Sequence, residues 1–168
     1  MGPVALDHLA GPTRVIGGFF IARTEGFAMT VRVERAFDID ASPADVWEFI
    51  ADPAERAKAI SVVDSFDLRG ETTVWHIRLP IPFIRTTVPV RTKDVERREP
   101  TYVKFKGTSS AFNVTGEHTV EELDAGSRVT NVFVVDGRAP GVEGFFKRNF
   151  DDEIRNLERA LKRHLDAR

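Results

Sequence analysis

His118 is the side chain here best suited to move a proton, because an imidazole ordinarily titrates close to neutral pH. It lies in the run from Phe112 to Leu123, where Phe112, Val114, Gly116, His118 and Val120 alternate with polar residues. Alternate side chains of a strand share a face, so the ring is expected among apolar neighbours on the inner side of a sheet. There it could act as a general base or as a hydrogen-bond partner for a ligand carbonyl. Arg35 and Asn131 fall in the same inward phase of their own strands. Buried polar groups require partners, so these three must bond one another, water or a ligand. An inward Arg35 would pair with Glu122 or an anionic ligand group; otherwise it extends to the rim. A base needs a partner in reach, and none is readable beside His118, so a ligand-orienting role suits it better than catalysis.

Other chemistries lack their residues. His8, His76, His118 and His164 stand singly, with no carboxylate or second histidine at ligand spacing, so no metal site is expected. There is no Gly-x-Ser-x-Gly elbow and no glycine-rich loop leading from strand to helix, which removes the usual marks of a serine hydrolase or a phosphate cradle. With no cysteine, disulfides, thiolate nucleophiles and cysteine-bound metals are excluded. Tyr102, the only tyrosine, alternates with Val103 and Phe105 and is expected to face outward, a poor acid for a cyclase. No cofactor is expected.

The elements that would position these residues follow from periodicity. Val31, Val33, Arg35, Phe37 and Ile39 alternate through a first strand, Thr30 to Asp40. Ser42, Pro43 and Asp45 supply a helix cap, a first-turn proline and an acid at the positive end, and that helix runs to about Ala51 before Asp52-Pro53 restarts a second short one. Six further strand-like runs follow: Val62 to Arg69, Thr72 to Leu79, Thr86 to Arg97, Thr101 to Thr108, Phe112 to Leu123 and Ser127 to Asp136. Their connections are too short for crossovers, so the sheet is antiparallel. Beyond Gly141, Phe146, Phe150, Ile154, Leu157, Leu161 and Leu165 recur at steps of four, four, three, four and four, one apolar stripe on a long helix. The expected class is α+β, a curved sheet of about seven strands wrapped on that helix.

A chain of 168 residues is one domain long enough to bury its own core. The composition, 42% hydrophobic and 30% charged with a net charge of −2, offers no basic field for nucleic acid. The charged run from Arg91 to Glu99 interleaves both signs, as cross-strand pairs on a solvated face do. Residues 1–28 are expected to be a disordered extension or an upstream start, since their apolar centre is too short to span a bilayer; residues 29–168 form the domain. The segment Leu79-Pro80-Ile81-Pro82-Phe83-Ile84 departs from normal turn chemistry: prolines forbid regular pairing and the rest is large and apolar. Either Ile81, Phe83 and Ile84 form a portal that touches a membrane or partner protein, flanked by Arg78 and Arg85, or the loop folds into the core.

The order strand, two short helices, six strands, long helix resembles the helix-grip arrangement. The segment ASPADVWEFIADPAE resembles the opening signature of the START-like (SRPBCC) superfamily, which includes polyketide cyclase/dehydrase-like domains, over about Thr30 to Leu165. The runs GTSSAFNVTGEHTVEEL and GVEGFFKRNFDDEIRNLERAL are similar to a START-like subunit family of carbon monoxide dehydrogenase and to coenzyme-Q-binding START-like proteins. These resemblances imply binding, transport or chaperoning of a small hydrophobic molecule, a quinone, lipid or polyketide-like compound, without covalent catalysis.

The expected ligand-binding residues are Arg35, Trp75, Ile77, Val88, Val103, Phe105, Phe112, Val114, His118, Asn131, Phe133, Phe146 and Phe150. Burial against the aromatic members would supply affinity at roughly 25 cal/mol per Å², and Arg35, His118 and Asn131 would supply orientation. The rival expectation is a cyclase or dehydratase with His118 as base and Arg35 or Asn131 stabilising an enolate. A third is a protein-binding module whose groove takes a client helix. The expected location is cytoplasmic, peripheral to the membrane where the Leu79 to Ile84 loop makes contact.

Overall fold

The computed structural model describes residues 20–23 and 29–168. In chain order the elements are β1 (Phe20–Arg23), β2 (Met29–Ile39), α1 (Pro43–Ile50), α2 (Pro53–Ala59), β3 (Val63–Arg69), β4 (Thr72–Ile77), β5 (Val88–Arg98), β6 (Tyr102–Thr108), β7 (Phe112–Glu122), β8 (Ser127–Gly137) and α3 (Val142–Asp166). The strands form one sheet in the order β1-β2-β8-β7-β6-β5-β4-β3, antiparallel at every junction. The fold is the expected α+β helix grip, with one strand more than the seven read from sequence. That strand, β1, lies inside the segment expected to be an extension and pairs Phe20 with Arg32 through Arg23 with Met29. The rest of that expectation falls on residues 1–19 and 24–28, outside the described residues.

Local chemistry sets the boundaries. The Ser42 hydroxyl accepts from the Asp45 amide at 3.2 Å, and the Asp52 carboxylate accepts from the Ala54 amide at 2.8 Å. Each cap satisfies a helix amide that has no intrahelical acceptor. Pro43 and Pro53 then occupy first-turn positions where a missing N–H costs nothing. Gly70 takes φ 61° in the β3–β4 turn, a left-handed conformation that glycine enters without a Cβ penalty.

Two apolar clusters make the core. One joins α1 and β2 to Phe150, Ile154, Leu157 and Leu161 of α3; the other joins β4, β5, β6 and the start of β7 to Val142 and Phe145. Phe133 packs against both. Burying a residue such as Ile154 or Leu157 contributes about 1.5–3 kcal/mol, so the α3 stripe is what holds the helix in the sheet's concavity.

The proline-rich β4–β5 connection combines both expected behaviours. Leu79 and Ile81 are buried in the second cluster, with Ile84 half-buried against it. Phe83 instead is 93% exposed and sits at φ 73°, a left-handed conformation unfavourable for a residue with a side chain. Of the three residues of the portal expectation, Phe83 alone is exposed; Ile81, 7% exposed, belongs to the core.

Candidate functional site

A cavity of about 60 Å³ lies where the two clusters meet, between the sheet and the N-terminal half of α3. Eight of the residues expected from sequence line it: Trp75, Ile77, Phe105, Phe112, Val114, Phe133, Phe146 and Phe150. Their rings touch edge to face, with Phe112–Phe146 and Phe133–Phe150 centroids each 5.3 Å apart and Phe105–Phe133 centroids 5.8 Å apart. Such contacts add to the stability of a closed wall. Phe105 owes its place to Gly116: a Cβ there would come within 2.2 Å of the Phe105 Cε1, so the bare backbone of β7 accommodates the ring.

The cavity also takes residues that were not expected, Ile60, Val62, Val90, Phe145, Asn149, Glu153 and Ile154. Phe145, Asn149 and Glu153 are spaced by four on α3, immediately beside Phe146, Phe150 and Ile154. Helical periodicity therefore carried the signal for a wider inner face. Ile60 and Val62, in the α2–β3 connection, carried none.

Glu153 and Ser61 close the mouth. The Ser61 amide donates to the Glu153 carboxylate at 2.8 Å, and the Ser61 hydroxyl donates to its other oxygen. Ser61 stands between the lining residues Ile60 and Val62, so this clasp ties the α2–β3 connection to α3 across the cavity rim.

Arg35, His118, Asn131, Val88 and Val103 do not line the cavity. Cross-strand register explains the polar three: Arg35 faces Asn131 across β2–β8, and Asn131 faces His118 across β8–β7. They form one row across three strands, linked by two hydrogen bonds. His118 Nδ1 donates to Asn131 Oδ1 at 2.7 Å, and Asn131 Nδ2 donates to the Arg35 carbonyl at 3.2 Å. The inward phase of His118 and Asn131 is as expected, but their polar atoms serve each other. The Arg35 guanidinium extends to the rim, where it stands 3.7 Å from Asp151 of α3 rather than pairing with Glu122. Val103 packs in the first cluster and Val88 in the second.

Burial drives the His118 pKa from 6.5 down to about 3, the nearby positive charge of Arg56 adds to the shift, and the bond to Asn131 opposes it. The imidazole is therefore neutral at physiological pH, with its proton held on Nδ1. It stacks on Phe105 with centroids 5.9 Å apart. Tyr102 lies half-buried beneath the Arg98 guanidinium, 4.4 Å from its ring centroid, and its pKa is raised, chiefly by desolvation.

Arg56 of α2 was not foreseen, because a short charged helix reads as surface. It is only 3% exposed. Its Nη1 donates to the Ile50 carbonyl at 3.1 Å, its Nη2 to Asp94 at 2.6 Å, and its guanidinium carbon lies 5.2 Å from the Phe105 ring centroid. Desolvation lowers its pKa against the opposing pull of Asp94, yet an arginine remains charged.

A sheet gripping a helix over an apolar cavity defines a class of small-molecule-binding domains. The chain belongs to the polyketide cyclase / dehydrase and lipid transport family, whose model matches residues 30–162. Among solved structures it is similar to a conserved protein from Geobacillus kaustophilus (TM-score 0.62, 14% identity, covering 79% of this chain and 95% of that one). It is also similar to the Zhui aromatase/cyclase from a Streptomyces species (TM-score 0.63, 17% identity, 81% and 96% covered). A third likeness is to the di-domain aromatase/cyclase StfQ of the steffimycin biosynthetic pathway (TM-score 0.63, 10% identity, 82% and 52% covered). At these identities the likeness shows the fold alone. No curated protein sequence matches the chain.

Proposed function

We propose that this domain binds and carries a small hydrophobic molecule, of quinone, lipid or polyketide-like character, between its sheet and α3 without covalent catalysis. The observation that carries this reading is the cavity wall: aromatic and aliphatic on nearly every side, with Asn149 and Glu153 beside the indole of Trp75 as its polar members. His118, the one candidate base, lies outside the cavity lining and bonds Asn131 through Nδ1. The cavity of about 60 Å³ is far below the ~300–1,000 Å³ of typical small-molecule sites, so the present form is the closed one. Binding requires the half-buried Phe133 and Phe146 to part and the Ser61–Glu153 clasp to open. Native mass spectrometry of freshly purified protein, followed by organic extraction, tests the reading. A bound apolar molecule is the expected result; protein that is empty and takes up no quinone, fatty acid or polyaromatic probe overturns it.

Phe83 completes the proposal as the group that touches a membrane while ligand passes. It is exposed, carried on a proline-stiffened loop, and flanked by Arg78 and Arg85. Phe83→Ser should leave stability within about 0.5 kcal/mol, as surface substitutions do, while weakening association with vesicles containing anionic lipid. Unchanged vesicle association refutes this role. No helix among the described residues is long and apolar enough to cross a membrane.

A second reading, a cyclase or dehydrase, is favoured by the family match and by the aromatase/cyclase names of two structural neighbours. It requires turnover of a poly-β-ketone substrate that His118→Phe abolishes.

A further inference from the structure

The Trp75 ring lines the cavity, yet its indole Nε1–H is buried with no hydrogen-bond partner. Tryptophan's N–H usually finds an acceptor when buried, and an orphaned donor costs the full desolvation of the group. A second orphan lies close by: Nε of Arg56 is also buried without a partner, although the other two nitrogens of that guanidinium are bonded. Both residues pack on Phe105. The Trp75 and Phe105 rings have centroids 5.8 Å apart, and the Arg56 guanidinium carbon lies 5.2 Å from the Phe105 centroid. Trp75 in the wall therefore carries an unused N–H donor, buried in the closed form, and across Phe105 lies a buried cation with a second unused donor. The carboxylates nearby are already engaged: Glu153, in the lining, is held by Ser61, and Asp94 is bonded to Arg56 itself. His118 is neutral.

From this juxtaposition we infer that the bound molecule presents a hydrogen-bond-accepting oxygen, a carbonyl, quinone or phenolic oxygen, to the wall at Trp75. Trp75 Nε1–H is its donor, and the positive potential of Arg56 favours an electron-rich atom there. The inference rests on the carrier reading above and gives that ligand a chemical head. It assigns polar recognition to Trp75 and Arg56 in place of Arg35, His118 and Asn131, none of which lines the cavity. It also sets a selectivity: ketones and quinones above hydrocarbons of the same shape, and both above amines, which bring a donor or a charge to a stretch of wall that offers a donor backed by a cation.

The test uses matched probes, 2-methyl-1,4-naphthoquinone, 2-methylnaphthalene and 2-naphthylmethylamine, titrated into the full chain and into Trp75→Phe. The unmodified protein should bind the quinone about tenfold more tightly than the hydrocarbon, the worth of one buried hydrogen bond, and the amine most weakly. Trp75→Phe should bring quinone and hydrocarbon affinities together, the ratio between the two falling from about tenfold to about one. Nuclear magnetic resonance supplies a second readout: the Trp75 indole N–H proton should move downfield with the quinone and not with the hydrocarbon, and Trp47 serves as the internal control. Equal binding of quinone and hydrocarbon, or an unmoved Trp75 indole proton, overturns the inference and leaves the carrier reading standing. Failure of all three probes to bind counts against both.

Discussion

Replacing His118 with phenylalanine should make the protein's stability nearly independent of pH between 7 and 5. The folded protein holds His118 at a pKa of about 3, whereas the ordinary value is 6.5. Below 6.5 the unfolded chain takes up a proton that the native state refuses, so stability falls as pH falls. The contribution is fully present above the unfolded value and is lost at about 1.4 kcal/mol per pH unit until the folded group titrates. From pH 7 to pH 5 that amounts to about 2 kcal/mol. Asp38, Asp45 and Glu71 also have lowered pKa values, through hydrogen bonds with Arg128, Ser42 and Lys93 respectively. Carboxylates are largely ionised at pH 5 in either state, and the difference in slope between the unmodified protein and His118→Phe isolates this imidazole from His8, His76 and His164.

Urea unfolding followed by tryptophan fluorescence at pH 7, 6 and 5 measures the slope directly. His118→Phe will be less stable at pH 7, because Asn131 Oδ1 loses its donor, a cost of about 1–3 kcal/mol, and that deficit should shrink by about 2 kcal/mol on going to pH 5; the change in slope carries the argument. In parallel, the ring resonances of His118 should not titrate between pH 8 and 5. Flat stability in the unmodified protein, or an unchanged slope in His118→Phe, would refute the account of a neutral imidazole locked beside Arg56. The mechanistic consequence is direct. A histidine that ionises only near pH 3 is a weak base at neutral pH, and its one N–H is held by Asn131.

Two further outcomes test the cavity. Ser61→Ala and Glu153→Gln each loosen the clasp at the mouth and should raise both association and dissociation rates of an apolar fluorescent probe, with stability altered by less than about 1 kcal/mol, as befits an exposed pair; unchanged rates would place the entrance elsewhere. Gly116→Ala puts a methyl group 2.2 Å from Phe105 Cε1 and should cost about 1–3 kcal/mol by overpacking. Full retention of stability in thermal melts would mean that the Phe105 ring is not seated on Gly116.

The architecture was legible because its determinants are periodic and local. Alternation through β7 placed Phe112, Val114, His118 and Val120 inward, and the fourfold and threefold steps of α3 fixed the gripping face. Register is not periodic: nothing in the sequence says that Arg35, Asn131 and His118 sit side by side, since the pairing of β2, β8 and β7 is decided by turns and core contacts across the whole sheet. From sequence the three could bond one another, water or a ligand, and the pairing of the strands selects a mutual bond for His118 and Asn131. Arg56 illustrates the converse. Its helix reads Pro-Ala-Glu-Arg-Ala-Lys-Ala, a solvated pattern, and only the approach of Asp94 from β5 and of Phe105 from β6 turns one of its cations into a buried one.

Volume was beyond reach for a related reason: whether facing aromatic rings enclose space or fill it depends on their rotations, which sequence does not specify. The observed arrangement lies between those limits. An apolar void of about 60 Å³ lacks dispersion partners on its inner side, and the donors of Trp75 in its wall and of Arg56 behind Phe105 lack acceptors. Both deficits sit at the same wall and both weaken the empty protein. A molecule with an apolar body and one accepting oxygen removes the void and supplies the Trp75 donor at once, and the relief of those native-state costs adds to its affinity beyond the area it buries.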